Sequence, residues 1–172
     1  MKVATLIATL LLIGGCSSLG WLGTLSDVSI NTSSVKVESL ETMLIRHEGY
    51  RQFPYDDRGG VAIGYGTNLS KRGLSREEAL YLMRNDINRL RNALSKRVEG
   101  WTRLDQARRD VLVSLAYNLG LNGVLSFKRM LAAIEEENYE LAATEMYLSD
   151  WCEQVGKRCP ELAEIMWHGK VN

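Results

Sequence analysis

The 172-residue chain has no excess of either charge, carrying 21 Lys and Arg against 21 Asp and Glu. Strong steering toward an anionic polymer is therefore not expected. No basic run is interleaved with aromatics, which excludes the usual footprint of nucleic-acid binding. Histidine is scarce: His47 and His168 stand far apart, with no Cys/His/acid spacing of the metal-ligand kind around them, so neither a metal nor another cofactor is expected. Gly64-Tyr65-Gly66 falls in a hairpin pattern and not at a helix start, which excludes a phosphate-cradling loop. Proline occurs only twice, at Pro54, where it forbids further helix, and at Pro160, where Cys159-Pro160 opens the last helix. Internal repeats and low-complexity runs are also lacking.

Apolar residue types are plentiful. At 45% hydrophobic, the chain can bury a real core, and its length bounds one domain or two small lobes sharing a helix. Leu40, Met43, Leu44 and His47 recur at helical spacing, which puts Glu48 on the last turn of a helix with Gly49 as its C-cap. After the hairpin pattern, Ser75-Arg76-Glu77-Glu78 reads as a capping box. Leu80, Met83, Ile87, Leu90, Leu94 and Val98 then form one apolar stripe, ended by Gly100. Such a helix would join a small N-terminal lobe to a helical C-terminal lobe. Asp105 caps the next helix, broadly apolar through Leu119 and closed by Gly120 and Gly123; Ser126 is expected to cap another, and Asn138 breaks the chain before Tyr139 to Leu148. The fold class is α+β, mostly α.

Between His47 and Thr67, two acids stand nine positions apart across a helix-to-hairpin transition: Glu48 and Asp57. Glycoside hydrolysis needs such a pair, one acid to protonate the leaving oxygen and one to handle water or a nucleophile. A proton donor working at neutral pH must hold its proton, and burial of Glu48 at a helix C-terminus, beside the negative pole, is the expected means. Asp56 is the alternative second acid.

Glu48-Gly49, Tyr55-x-Asp57 and Ile63-Gly64-Tyr65-Gly66 resemble the signature of the phage-type lysozymes, glycoside hydrolase family 24. Ala116-Tyr117-Asn118-Leu119-Gly120, with Gly123 and Phe127, is similar to that family's buried-helix motif, and Trp151, Gln154 and Arg158 to its C-terminal motif. The resemblance implies a lysozyme-like two-lobed fold over residues 38–172 and cleavage of the β-1,4 bond between N-acetylmuramic acid and N-acetylglucosamine in peptidoglycan. It implies that Glu48 is the general acid paired with Arg158, that Asp57 orients the attacking water, and that Tyr65, Tyr117, Asn118, Trp151 and Gln154 line the cleft. In departure from the family, Ala62 stands where a threonine normally helps hold the water, and the hairpin is one residue shorter between Asp57 and Ile63. Thr67 or a backbone group is the expected substitute. The missing threonine keeps a lytic transglycosylase, using Glu48 alone, as an alternative, beside a non-catalytic peptidoglycan-binding protein.

Met1-Lys2 and the apolar run from Val3 to Ile13 read as a signal segment over residues 1–15, followed at 16–37 by a Ser/Thr/Gly/Asn-rich tether. Leu12-Ile13-Gly14-Gly15-Cys16 resembles a lipoprotein lipobox, which would make Cys16 a lipid acceptor. A signal-anchor-release segment, as in some phage endolysins, and an ordinary cleaved signal are the alternatives. All three place the catalytic part outside the cytoplasm, on the periplasmic side, with a membrane tether in the first two and a monomer expected. With Cys16 set aside, Cys152 and Cys159 are an even pair suited to a short bridge. Exchange of that bridge with a free Cys16, and two unpaired buried thiols, are the other readings.

Overall fold

The computed structural model describes residues 38–169; the signal segment expected at 1–15, the tether expected at 16–37 and Cys16 lie outside the described residues. Among the described residues the chain is mostly helical with one three-stranded antiparallel sheet, the expected α+β class. It divides into two compact units at the Glu48–Gly49 bond.

The described part of the first unit is one helix, α1 (Leu40–Glu48). The Ser39 hydroxyl accepts from the Thr42 N–H at 3.1 Å, satisfying one donor of the first turn, and Arg46 pairs with Glu38. Met43 is half-buried and the rest of α1 is exposed. Gly49 follows in the left-handed region, as its place after Glu48 suggests.

The second unit opens with strands β1 (Arg51–Asp57), β2 (Gly60–Gly64) and β3 (Thr67–Asn68), in that spatial order. Arg58-Gly59 makes the two-residue turn between the first two strands. Register shifts between Arg51, which faces Gly64, and Tyr55, which faces Ala62. Pro54, which has no N–H to give to a ladder, sits in that irregular segment. Helix α2 (Leu69–Arg72) is capped by Asn68, whose Oδ1 accepts from the Lys71 N–H at 2.9 Å. Its Ser70 hydroxyl accepts from the Val61 N–H at 2.9 Å, fastening α2 to β2. A Cβ on Gly60 would lie 2.6 Å from that of Ser70, so only glycine admits this approach.

Helix α3 (Arg76–Ser95) begins with the expected capping box, both of its hydrogen bonds formed between Ser75 and Glu78. Its stripe meets the core only in the second half: Leu94 is fully buried and Ile87 and Leu90 pack beside it, whereas Leu80 is half-buried outside the core and Met83 is exposed. It ends at Ser95, earlier than the stripe suggests, because the Lys96 N–H turns back to the carbonyls of Ala93 and Leu94; Gly100 instead precedes a short 3-10 turn, Trp101–Arg103. Helix α4 (Gln106–Leu125), capped by Asp105, is buried along Val111, Leu112, Val113, Leu115 and Ala116. Gly120 ends the first run as expected: with φ 75° and ψ 165°, a conformation glycine alone adopts without strain, it breaks the helix, and a second helical segment runs on through Gly123 to Leu125.

Ser126 does not cap the next helix, α5 (Lys128–Glu135). Its hydroxyl donates backward to the Gly123 carbonyl at 2.6 Å, satisfying the end of α4, and Phe127 occupies the N-cap with no side-chain bond. Helix α6 (Tyr139–Tyr147) is capped by Asn138, α7 (Asp150–Val155) by Ser149, and α8 (Arg158–His168) ends at Gly169. The core lies among α3 to α8, with Leu112, Leu115, Met146 and Met166 fully buried. Cys152 and Cys159 form a disulfide joining α7 to α8.

Candidate active site

Glu48 closes α1 and is exposed. This corrects the expectation of burial: α1 contributes no buried residue, so its last turn is solvated. Asp57 is the last residue of β1 and stands opposite Gly60. Strand residues alternate between faces, and residues opposite one another in an antiparallel pair share a face. Asp57 therefore lies on the face of Tyr55, Ala62 and Gly60, and Asp56 on the other, opposite exposed Val61. Ala62 is fully buried.

The same register separates Thr67 from the position it was expected to supplement. Thr67 stands opposite Ile63, on the face away from Ala62 and Asp57. The side chain facing Ala62 across β3 is Asn68, whose Oδ1 is already committed to capping α2. Asn68 was missed in the sequence. The signal for it was the two-residue alternation counted outward from Ala62.

Tyr65, in the turn after β2, is exposed, its ring centroid 5.5 Å from that of Tyr50. On β1 the guanidinium of Arg51 lies 4.3 Å over the Tyr55 ring. Exposed tyrosine faces such as those of Tyr50 and Tyr65 suit a sugar ring with polar edges and an apolar face.

The remaining expected residues fall into two cavities of the helical region. Tyr117 and Arg158 line one of about 420 Å³, whose wall also holds the apolar Met83, Ile87 and Val113 and the polar Ser114, Arg91 and Asp110. Arg91 donates to Asp110 at 2.9 Å. Trp151 and Gln154 line the other, about 520 Å³, with Glu145, Arg129, Ser149 and Asp150. Asn118 joins this second group: its Oδ1 accepts from the Trp151 indole at 3.0 Å. Tyr117 and Asn118, adjacent on α4, thus serve different surroundings, as a 100° step between successive helical residues requires.

Trp151 is 3% exposed and belongs to the core as much as to the cavity wall. Glu145 went unnoticed in the sequence. It is the one buried charged side chain among the described residues, and Arg129, itself exposed, forms an ion pair with it at 2.6 Å. Its signal was an acid set among Ala142, Ala143 and Met146, on a helix face otherwise apolar.

The family model described as phage lysozyme matches residues 45–164, a span holding every side chain placed above. "Probable T4-type lysozyme 1" of Dictyostelium discoideum is 33% identical over 69 residues, covering 40% of this chain and 41% of the relative. "Probable T4-type lysozyme 2" of the same organism is 25% identical over 166 residues, covering 78% of this chain and 97% of the relative.

Proposed function

The chain belongs to the phage lysozyme family and is a glycosidase of the lysozyme type, and from that premise we propose that it cleaves the β-1,4 bond between N-acetylmuramic acid and N-acetylglucosamine in peptidoglycan. Glu48 gives its proton to the leaving oxygen, and Asp57 orients the water that attacks the sugar carbon. By the resemblance to the family's C-terminal motif, Arg158 is the arginine assigned to support the acid. Tyr65, Tyr117, Asn118 and Gln154 hold the glycan through flat faces and amide hydrogen bonds, while buried Trp151 acts through Asn118, whose Oδ1 takes its indole N–H. The reading is carried by the position of Asp57: it closes β1 on the face of Ala62, nine residues after Glu48 and within the matched span. We place the enzyme outside the cytoplasm, as a monomer tethered to a membrane through its N-terminus, acting in host-cell lysis or wall degradation.

A second reading is favoured by Ala62. It offers no hydroxyl, and Thr67 lies on the opposite face, so water is less well held beside Asp57 than in relatives that keep the threonine. A lytic transglycosylase does without that water, Glu48 acting as both acid and base. Digestion of purified murein separates the two. A hydrolase releases new reducing ends, whereas a transglycosylase leaves 1,6-anhydromuramic ends; the latter as the main product would replace the first reading with the second, and release of neither would reject both.

A further inference from the structure

The neutral total charge conceals two halves of opposite sign. Residues 49–98 carry ten Lys and Arg against five Asp and Glu, and residues 99–169 carry seven against twelve. In the positive half, a cavity of about 560 Å³ is lined by Arg89, Asn92 and Ala93 of α3, by Lys96 and Arg97 in the turn that follows it, and by Leu121 of α4. Arg89, Asn92 and Ala93 recur at three- and four-residue steps along one face of α3, away from Ile87, Leu90 and Leu94, which meet the core, and Lys96 and Arg97 follow where the helix ends. No carboxylate lies in the wall.

Among the described residues, neither Lys96 nor Arg97 makes an ion pair. Asp86 holds Arg89 through Nη2, which leaves other guanidinium N–H groups to donate. Glu99, the next acid along the chain, hydrogen-bonds instead to Glu135, whose carboxyl that contact pushes above the ordinary range. Lys96 and Arg97 offset the negative pole at the end of α3, which accounts for two cations there. It does not account for Arg89 two turns earlier on the same face, nor for Asn92 between them.

We propose that this cavity is an anion site for a phosphate ester. Arginine forks match phosphate oxygens bidentately and lysine adds a mobile point charge. Ala93 and Leu121 supply an apolar floor for the carbon chain beyond the phosphate. A lipid headgroup and a soluble phosphate ester share this chemistry, and the experiment distinguishes them.

The full-length protein is titrated calorimetrically with glycerol 3-phosphate and co-sedimented with vesicles of phosphatidylglycerol or phosphatidylcholine. Lys96→Gln and Arg97→Gln are each expected to weaken ester binding roughly tenfold, the usual scale for one charge-assisted hydrogen bond. Arg84→Gln, with the same change of charge on another face of α3, leaves it intact. Loss of preferential phosphatidylglycerol binding in the two cavity variants identifies a lipid headgroup; ester binding that depends on Lys96 and Arg97, with vesicle retention unchanged, identifies a soluble ligand. The proposal falls if neither kind of binding depends on these two residues, or if Arg84→Gln weakens binding as much as they do, since net charge alone would then suffice.

Discussion

Asp56 and Asp57 are adjacent carboxylates with opposite surroundings. Alternation along β1 sends Asp57 to the side of Tyr55 and buried Ala62, and Asp56 to the side of exposed Val61. Asp57→Asn is accordingly expected to lower turnover by roughly 10²- to 10⁴-fold, the range general acid–base groups supply, while Asp56→Asn leaves it nearly unchanged. Murein-clearing rates of the two variants check the order, and its reversal would move the water-positioning role to Asp56. Glu48→Gln should abolish clearing, because an amide N–H is far too weak an acid to protonate the leaving oxygen. Since Glu48 is exposed, its replacement should alter stability by no more than about 0.5 kcal/mol, readable as an unshifted melting curve. Clearing of murein at the wild-type rate by the Glu48→Gln variant would remove the acid from the mechanism.

The start of α3 shows how one helix end draws on its neighbours. Ser75 and Glu78 complete the capping box, and Arg72 at the end of α2 pairs with the same carboxylate. That guanidinium, and then the Ser75 N–H, hold the Glu78 carboxyl down from 4.5 to about 2. The folded value lies below the unfolded one, so the contribution of Glu78 to stability is complete above pH 4.5 and is lost as pH falls toward 2. A carboxyl-detected NMR titration should find Glu78 still ionised at pH values where ordinary glutamates have protonated. Arg72→Ala should raise its midpoint, and an unmoved midpoint would mean that α2 does not hold the cap. Ser75→Ala should cost about 1 kcal/mol, as loss of an N-cap generally does.

The Cys152–Cys159 bridge acts on the molecule through its unfolded chain. Closing so short a loop removes few unfolded conformations, and the loop-entropy relation gives about 2–3 kcal/mol. Paired replacement by serine is expected to lower the melting temperature by about 5–10 °C, and reduction of the wild type should reproduce the shift. A larger fall would show that α7 and α8, which carry Trp151, Gln154 and Arg158, depend on the bridge for their packing. Charge is likewise a property of the folded chain taken together: zero in total, it is positive over the sheet and α3 and negative over the later helices.

What the sequence determined by itself is short-range. Ser75, Asp105 and Asn138 each stand where a helix begins, because a cap needs only a side-chain oxygen and an N–H two or three residues away. The mostly helical class followed from apolar periodicity, and the family from motifs whose residues are near neighbours in the chain. Tertiary structure decided the rest. Thr67 and Asn68 are adjacent, but the pairing of β3 with β2 alone tells which of them faces Ala62. Ser126 is a plausible cap in isolation, until the open carbonyl of Gly123 takes its hydroxyl. Tyr117 and Asn118 diverge because α3 and α8 line one side of α4, while Trp151 of α7 meets it on another. Burial of Glu145 and exposure of Glu48 depend on what other elements cover them. Caps and periodicity are satisfied within one or two turns of chain, whereas register, burial and cavities arise from contacts between segments tens of residues apart, which no local pattern encodes.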